Sequence, residues 1–455
     1  MIKNLVLFST MLTLSGCGLV AENYDLSFSK LTNWQSDQTA PIAQVEAASL
    51  KEWWLKFNDP TLDKLVAQAM TDSPDRLIAE ARIAEARGLR RSARGGLLPQ
   101  IRASGSGGRE DTGLYDNLYP DNFFDAGFDA SFELDVFGKN RNNFSASDNQ
   151  LRAAEQQYRD VTLTLVADIT RNYIEYRAAQ HQLRIAQKNL TAQEKTLTLI
   201  EDMFRLGAAP KLDVERAKNL VNTTRASLPE YERQADNARL ALTVLVGALP
   251  QDLAPLLAEE AVIPGTSIAP VLIAPAEVLT RRPDVQAAAH LLAANTDLTQ
   301  AAAADIFPSF TLRGFYGIAD NAIGGSIAPW NIALGAAVSL LDFGRIEGRV
   351  DAAKAREKQA FEQYRKTVLS AVSEVETALT DYIHINGQHQ SLEQAYQSAY
   401  QAFELSQTLY KEGEIAFLDV LDAQRTVNNA ESSMVAAKAS EAVALARLYK
   451  ALGVY

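Results

Sequence analysis

Four carboxylates recur at short intervals in one stretch of the chain, and grouped carboxylates are a common source of general acid–base chemistry. They are Asp125, Asp129, Glu133 and Asp135. The residues that alternate with this set are Phe124, Ala126, Phe128, Ala130, Phe132, Leu134 and Val136. Because successive side chains of a strand point to opposite faces, such alternation predicts a strand with one acidic and one apolar face. We interpret the acidic face as the lining of a solvated barrel lumen rather than a catalytic centre.

The other groups that could do chemistry are scattered along the chain. The four histidines, His181, His290, His384 and His389, include no pair at helical i,i+4 spacing. No phosphate-binding loop, zinc signature or nucleophile elbow appears in the sequence. His389 falls on a seven-residue apolar repeat, where packing is a more common role than metal binding. The sequence therefore predicts no enzyme, cofactor or metal site, and a net charge of −12 without a basic tract argues against nucleic acid.

The N-terminus has the pattern of a secretion signal. Lys3 precedes a short apolar core over residues 5–13, and Leu14-Ser15-Gly16-Cys17 follows at once. Cys17 is the single cysteine, so a disulfide within one chain is excluded. The segment before Cys17 resembles a bacterial lipobox, which implies cleavage after Gly16 and a covalent lipid on Cys17. An ordinary signal with a chance cysteine is the alternative. Gly18 at the next position implies sorting to the outer membrane by the same resemblance.

A second alternating stretch repeats the first one later in the chain. Trp330, Ile332, Leu334, Ala336, Val338 and Leu340 form one face, and they alternate with Asn331, Ala333, Gly335, Ala337, Ser339 and Leu341. Weaker alternation over Ile101–Gly108 and Phe310–Ile318 predicts a partner strand before each. Four strands cannot close a barrel in lipid, because open edges would leave backbone groups without hydrogen bonds. If these strands lie in a membrane, several chains must combine them. An ordinary half-buried soluble sheet is the alternative.

Two very long helices follow the alternating stretches. Residues 141–205 contain no proline or glycine, which predicts a helix of about 95–100 Å. A seven-residue repeat along it, typical of a coiled-coil seam, comprises Ile169, Tyr176, Leu183, Leu190, Leu197 and Phe204. The matching helix, 347–412, has Val375, Tyr382, His389, Tyr396, Phe403 and Tyr410 at the same spacing. The body of the chain has no run of about 18 apolar residues, so no transmembrane helix is predicted there.

Each long helix is expected to end at a glycine and to return as a second helix. Gly207 and Gly413 correspond at an offset of 206 residues (413 − 207), as do Asp213 and Asp419 (419 − 213). Glycine suits the left-handed conformation after a helix C-terminus. An aspartate in the first turn accepts free backbone N–H groups and favours the positive end of the helix dipole. The return helices are predicted over 213–246 and 419–452.

The duplication divides the chain into four parts. We assign 1–16 to a lipoprotein signal peptide, 17–73 to a lipidated arm and equatorial part, 74–282 to the first repeat and 283–455 to the second. Within the repeats we expect β-hairpins over 99–138 and 308–344, helical hairpins over 141–247 and 345–452, and an equatorial linker over 248–282. Pro74 and Pro283 open equivalent helices at an offset of 209 (283 − 74). The arm's tryptophans, including Trp34 and Trp53, are expected to pack onto the chain's own body, and an interface with a partner is the alternative.

The whole mature chain resembles the TolC family of outer-membrane channels, and most closely its lipidated OprM/NodT-like branch. The resemblance rests on four sequence motifs: Phe137-Gly138-Lys139, Leu341-Asp342-Phe343-Gly344-Arg345, Arg281-Arg282-Pro283-Asp284 and Leu418-Asp419-Val420-Leu421-Asp422-Ala423-Gln424-Arg425. This resemblance implies an α+β membrane protein in which three chains, with four strands each, form a 12-stranded barrel above a periplasmic tunnel of coiled helices. It also implies a homotrimer, outer-membrane lipid around the barrel, a periplasmic adaptor and an inner-membrane transporter as partners.

By the same resemblance the chain is a passive exit duct of a tripartite, RND-type efflux pump. The exit duct of a type I protein secretion system is an alternative with the same fold. A structural periplasmic coiled-coil protein is a third interpretation, but it does not account for the alternating strands.

The resemblance also assigns roles at the two helix tips. Asp419 and Asp422 match paired aspartates that narrow the tunnel, and Leu418 matches a blocking leucine. Asp213 and Tyr410 match a pair that links neighbouring helical hairpins. In TolC a basic residue at the position of Ile415 forms an ion pair that helps to close the tip. Isoleucine carries no charge, so this ion pair is expected to be missing here. Gly207 and Gly413 mark the tips on which the adaptor is expected to dock.

Overall fold

The structure is a computed structural model that describes residues 34–35, 43–44, 51–110, 121–259, 261–265, 270–321 and 325–453. Cys17 and the predicted signal peptide lie outside these residues. The helices are α1 Pro60–Asp72, α2 Pro74–Gly95, α3 Lys139–Arg205, α4 Lys211–Val246, α5 Pro250–Leu257, α6 Pro275–Arg281, α7 Pro283–Ala304, α8 Arg345–Glu412 and α9 Phe417–Ala451. The strands are β1 Ala43–Gln44, β2 Gln100–Glu110, β3 Asp121–Leu134, β4 Val271–Leu272, β5 Ser309–Asn321, β6 Gly325–Ile327 and β7 Trp330–Ala337.

The chain forms two compact units, and each of them takes residues from both sequence repeats. One unit contains the described residues of 81–156 and 286–367, and the other contains those of 28–80, 157–285 and 368–453. The first unit holds the large sheet, in the order β2-β3-β5 with β6 and β7 both paired to β5. All neighbouring strands of this sheet are antiparallel. The second unit holds the helical tips and the main apolar core.

The strand registers confirm the internal duplication. In the first hairpin Gln100 pairs with Ser131. Adding 209 to the first residue and 206 to the second gives Ser309 and Ala337, which are paired in the second hairpin. The two offsets found in the sequence therefore hold between individual strand positions.

The second hairpin departs from its predicted bounds. The strand expected over 330–341 ends at Ala337, and a separate short strand, β6, pairs with the far end of β5. Continuing the register would place Val338 opposite Pro308. Proline has no N–H to donate to the ladder, which accounts for the early end of β7.

The two faces of the large sheet differ as the alternation predicted. Asp125, Asp129 and Glu133 lie on one face of β3, and the side-chain hydroxyls of Ser106 and Ser104 donate to Asp125 and Asp129, respectively. On the other face the exposed apolar side chains of β3, β5 and β7 are Phe124, Phe128, Leu312, Tyr316, Ile318, Trp330, Ile332 and Leu334. An exposed apolar surface of this kind has to be covered by lipid or by another apolar partner.

One aromatic side chain interrupts the polar face of the sheet. Phe315 lies over a glycine pair, Gly127 and Gly317, which oppose each other in the β3–β5 register. A Cβ at Gly127 would lie 2.7 Å from the Phe315 ring and 2.9 Å from the Tyr316 carbonyl oxygen. The absence of a side chain at Gly127 is therefore what admits the Phe315 ring.

We expect Gly127→Ala to destabilise the sheet by about 1–3 kcal/mol, the usual cost of overpacking. Gly314→Ala is the matched control, because a Cβ there would meet its nearest neighbour, the Asn331 carbonyl oxygen, at an ordinary 3.8 Å. The unfolding midpoints of both variants and of the parent, measured by thermal unfolding of the purified proteins in detergent, test this prediction. Equal midpoints for the two variants would contradict the proposed role of the ring.

The main core packs the arm and the short helices onto the long ones. Trp34 and Trp53 are fully buried, and the Trp34 indole N–H donates to the Ile273 carbonyl oxygen at 2.7 Å. The prediction that these tryptophans pack on the chain's own body is confirmed. Along the predicted seams the side chains are buried or half-buried, apart from Phe204, which is 43% exposed.

Among the described residues no single helix is long and apolar enough to cross a membrane, although the bent pair α4 and α5 meets that criterion by length and composition.

A carboxyl group on α3 makes the folded state sensitive to pH. Burial raises the pKa of Asp160, and the nearby Asp284 and Glu374 carboxylates raise it too, whereas Lys450 and Arg282 oppose the shift. A raised pKa in the folded state means that ionised Asp160 opposes folding. That unfavourable contribution disappears as pH falls through the folded-state pKa towards the usual value of 3.8.

Asp160→Asn is therefore expected to raise the unfolding midpoint at pH 7, and its advantage over the parent should shrink as the pH is lowered towards 4. Thermal unfolding at both pH values measures the difference. The same substitution at Asp236, an exposed carboxylate on α4, is the control. An Asp160→Asn advantage that is independent of pH would contradict the assignment.

Candidate functional site

The two helix tips have the same backbone hydrogen bonds. Gly207 and Gly413 have φ values of 73° and 80°, in the left-handed region that glycine adopts readily. The Gly207 N–H donates to the Phe204 carbonyl at 3.0 Å, and the Ala208 N–H donates to the Met203 carbonyl at 2.8 Å. Equivalent bonds, 206 positions later, join Gly413 to Tyr410 and Glu414 to Leu409 at 3.0 and 2.9 Å. This is a Schellman motif in each copy, so the predicted glycine C-termini are confirmed.

A small apolar core holds the two tips together. Its buried members are Ile200, Val214, Ala217, Phe417, Val420 and Leu421, which come from α3, α4 and α9. Ile415 packs against this core. It occupies the position at which TolC has a basic residue. At this position the tip is therefore stabilised by apolar packing instead of by an ion pair.

Tyr410, the last seam residue of α8, lies at the edge of the tip core. Its ring centroid lies 5.6 Å from that of Phe417, and its hydroxyl points to the Met203 sulfur at 3.8 Å. Burial raises the pKa of Tyr410, and the Asp213 carboxylate raises it further. Asp213 itself pairs with Arg216 at 3.4 Å. The structure thus brings Tyr410 near Asp213, but the hydroxyl contacts sulfur and the carboxylate contacts arginine.

Asp419 and Asp422 lie in the first two turns of α9 and are both exposed. The Asp419 carboxylate accepts the N–H of Ala416, the residue before the helix, at 3.1 Å, so its expected capping role is confirmed. Asp422 pairs with Arg425 at 3.3 Å across one helical turn. Three positions apart, the two carboxylates share one face of the helix. Leu418, beside them, is 38% exposed.

The two tips carry different charges at equivalent positions. Residues 213 and 216 of α4 are aspartate and arginine, whereas 419 and 422 of α9 are both aspartate. A groove of about 430 Å³ between these helix starts is lined by Leu212, Glu215, Arg216, Asn219, Leu220, Leu418, Leu421, Asp422 and Arg425. Arg216 and Arg425, the two arginines of this groove, are not among the site residues predicted from the sequence. Their i+3 spacing from an aspartate was a signal that could have identified both.

The carboxylates of the large sheet are more dispersed than those of the tips. Asp125, Asp129 and Glu133 share a strand face, but Asp135 does not belong to it, because β3 ends at Leu134. The Asp135 carboxylate accepts the backbone N–H groups of Asn140 and Arg141 at 3.0 and 2.8 Å. The prediction of Asp135 as a strand residue is therefore wrong, since this carboxylate caps the start of α3.

Among the described residues no group of three or more His, Cys, Asp or Glu side chains could hold a metal ion. His389, on α8, lies 2.5 Å from the Glu441 carboxylate of α9, and both side chains are largely buried. Cys17, the predicted lipidation site, lies in the part of the chain without a structural description.

The comparisons with known proteins cover nearly the whole chain. The family model described as outer membrane efflux protein matches residues 65–248 and 274–454. The chain is 31% identical to the pyoverdine export outer membrane protein OpmQ of Pseudomonas aeruginosa, over 99% of this chain and 96% of OpmQ. The structure of the outer-membrane channel OprN matches with a TM-score of 0.87 at 30% identity, covering 96% of this chain and 99% of OprN. The open state of the MtrE outer membrane channel of Neisseria gonorrhoeae matches with a TM-score of 0.83 at 26% identity, covering 96% and 98%.

Proposed function

Because the chain belongs to the outer membrane efflux protein family, we propose that it is the outer-membrane exit duct of a tripartite, RND-type efflux system. Family membership and the match to OprN already show an outer-membrane efflux channel with an α+β channel fold. The assignment to a tripartite, RND-type system is our proposal. In the proposed system an inner-membrane transporter supplies the energy. A periplasmic adaptor connects that transporter to this chain, which conducts passively.

The two-faced sheet is the observation that carries this proposal. It places carboxylates and serines on one face and exposed aromatic and aliphatic side chains on the other. β6 and β7 pair with β5 in one continuous register and so count as one strand, which leaves four strands per chain. Four strands are too few to close in lipid, where an unpaired strand edge is costly. Three copies would supply twelve strands, with the apolar face towards lipid and Asp125, Asp129 and Glu133 towards the lumen.

The helix tips supply the proposed gate. In a trimer, Asp419 and Asp422 would each occur three times around the tunnel axis, forming acidic rings that favour cations over anions. Leu418 would narrow the same opening, while Tyr410 and Asp213 would hold the neighbouring hairpins together. The adaptor would dock on the turns at Gly207 and Gly413 and favour the open state by binding it more tightly than the closed one.

A lipid on Cys17 is the only covalent group in this proposal. Acyl chains would anchor the N-terminus in the outer membrane without spanning it. The support for this assignment is the lipobox-like sequence before the single cysteine.

Small molecules are the cargo we favour over secreted proteins. The relative OpmQ is named for the export of pyoverdine, and the match covers 99% of this chain. The lipidated, OprM-like character of the sequence favours the same choice.

Single-channel recording in a planar bilayer tests the proposal. The purified protein should insert, open in small steps and select cations over anions, with lower selectivity at high salt because salt screens the acidic groups. Heat-denatured protein is the control for leakage caused by detergent. Failure of the native protein to conduct after confirmed insertion would contradict the duct, and anion selectivity would contradict the acidic gate.

A further inference from the structure

Two aromatic side chains lie on the polar face of the large sheet, and each lies over a gap that glycine leaves. The first is Phe315, whose Cζ atom would lie 2.8 and 2.7 Å from a Cβ at Gly127 and Gly317, respectively. The second is Phe123 of β3, which pairs with Gly108 of β2. A Cβ at Gly108 would lie 2.8 Å from the Phe123 ring. Glycines therefore admit two rings on the face that holds the acidic side chains.

Asp125 lies between the two rings. It is two residues from Phe123 and two residues from Gly127 on β3, so the three positions share one face of the strand. At about 3.3 Å per residue, the two rings are about 13 Å apart along the strand, with the carboxylate midway. The residues paired with Asp125 on either side are Ser106 and Ala319. Both of these are small, so they leave room for a ligand above the carboxylate.

We propose that Asp125, Phe123 and Phe315 form a binding site for organic cations that carry an aromatic or aliphatic group next to the charge. The carboxylate supplies the opposite charge, and the face of an aromatic ring attracts a cation through its quadrupole. Aromatic rings of this kind are a known means of recognising quaternary ammonium groups. For its role the inference rests on the proposed function, because it makes such cations the cargo that the duct contacts on its way out.

The charges of the polar face favour a cation at this site. The Ser106 hydroxyl donates to Oδ1 of Asp125, and within the described part of the chain no donor contacts Oδ2. Among the described side chains of this face, the nearest bases are Arg102 and Arg313. They lie four and six positions along the register from Asp125, at about 13 and 20 Å. At such distances salt screens their repulsion, whereas the carboxylate of Asp129 is nearer than either base.

A weak site is the kind that an exit duct can use. Phe123, Asp125 and Phe315 are each half-buried, so all three side chains also reach solvent. A cation bound at an exposed ring gains only a several-fold increase in affinity. Conduction requires a site that cargo can enter and also leave. The site is complete within one chain, so a trimer would carry three equivalent copies around the lumen.

Saturation-transfer NMR on the purified protein in detergent tests the site, with phenyltrimethylammonium as the probe. Its quaternary nitrogen is charged at every pH. We expect the parent to transfer saturation to the probe. Asp125→Asn should raise the dissociation constant about fivefold, and Phe123→Leu and Phe315→Leu should each raise it about two- to fivefold. Asparagine has the size of aspartate and can still accept the Ser106 hydrogen bond, so Asp125→Asn tests the site even if the leucine variants do not fold.

Phe128→Leu and Glu133→Gln are the matched control variants. Phe128 is an exposed aromatic residue of the same strand, but it lies on the opposite face. Glu133 is a carboxylate on the polar face, eight residues from Asp125. Neither substitution should change the dissociation constant. Equal weakening by Phe128→Leu and Phe315→Leu, or by Glu133→Gln and Asp125→Asn, would overturn the site.

Two further probes identify the chemistry that is recognised. Benzenesulfonate has the ring with the opposite charge and should not bind. Tetramethylammonium has the charge without the ring and should bind several-fold more weakly than phenyltrimethylammonium. Equal binding of benzenesulfonate would reduce the site to an apolar contact, and equal binding of tetramethylammonium would reduce it to a carboxylate. Either result would overturn the proposed specificity.

Single-channel recording of the same preparation separates this inference from the proposed function. A parent that conducts but transfers no saturation to phenyltrimethylammonium would overturn the cation site alone. A parent that binds the probe, with the expected losses in the variants, but does not conduct after confirmed insertion would overturn the duct. In that case the site would remain, but the cations that it binds would not be cargo.

Discussion

Replacing Arg282 by alanine is expected to lower the free energy of unfolding by about 3–5 kcal/mol, the usual cost of removing one partner of a buried ion pair. The Arg282 side chain is only 7% exposed. Its guanidinium donates to both carboxylate oxygens of Asp284 at 3.0 and 2.7 Å and to Glu374 at 2.8 Å. It also donates to the Ala451 carbonyl, the last residue of α9, at 2.7 Å. Removal would take the charged donor away from these acceptors and would delete the contact with the last residue of α9, leaving Asp284 only the Val285 backbone N–H.

Arg281→Ala is the matched control for this prediction. Arg281 is the preceding residue, but its side chain is 57% exposed and pairs with Glu277 one helical turn away. Such surface pairs contribute about 0–1 kcal/mol. Thermal unfolding of the two variants in the same detergent should therefore separate them clearly. Similar, small shifts of the midpoint for both would contradict the role of Arg282 as the anchor of α9.

The double substitution Asp419→Ala/Asp422→Ala is expected to raise single-channel conductance by a few-fold and to reduce cation selectivity. In the proposed trimer it removes six carboxylates from the narrowest part of the tunnel, and with them the attraction of the pore for cations. It also removes the cap that Asp419 provides to the Ala416 N–H, so the first turn of α9 should become looser. Conductance and reversal potential in asymmetric salt measure the two effects.

Asp236→Ala is the control for the gate. Asp236 is an exposed carboxylate on α4 and pairs with Arg239 across one turn, as Asp422 does with Arg425. It lies outside the tip core and should leave conductance unchanged. Unaltered conductance in the double variant would place the constriction elsewhere, with Leu418 and Tyr410 as the next positions to replace.

The sequence by itself was sufficient for the long helices, for the alternating strands and for the duplication. The helix predicted to open at Pro283 is observed as Pro283–Ala304, and the long helix expected over 141–205 is observed as Lys139–Arg205. Seven-residue periodicity and strand alternation are local properties, so they can be recognised without knowing what packs against them. The glycines at 207 and 413 were equally recognisable, because the left-handed conformation they adopt is a property of the residue itself.

The contacts between distant residues were decided only by the tertiary structure. Asp135 continues the alternation, yet it caps α3, because the register of β3 ends at the preceding residue. Arg282 is part of a motif that resembles the TolC family, but its hydrogen bonds to Glu374 and Ala451 reach residues 92 and 169 positions away in the sequence. Phe315 lies over two glycines because its register places Gly127 opposite Gly317. Such contacts depend on which side chains meet in space, and a one-dimensional pattern does not specify that.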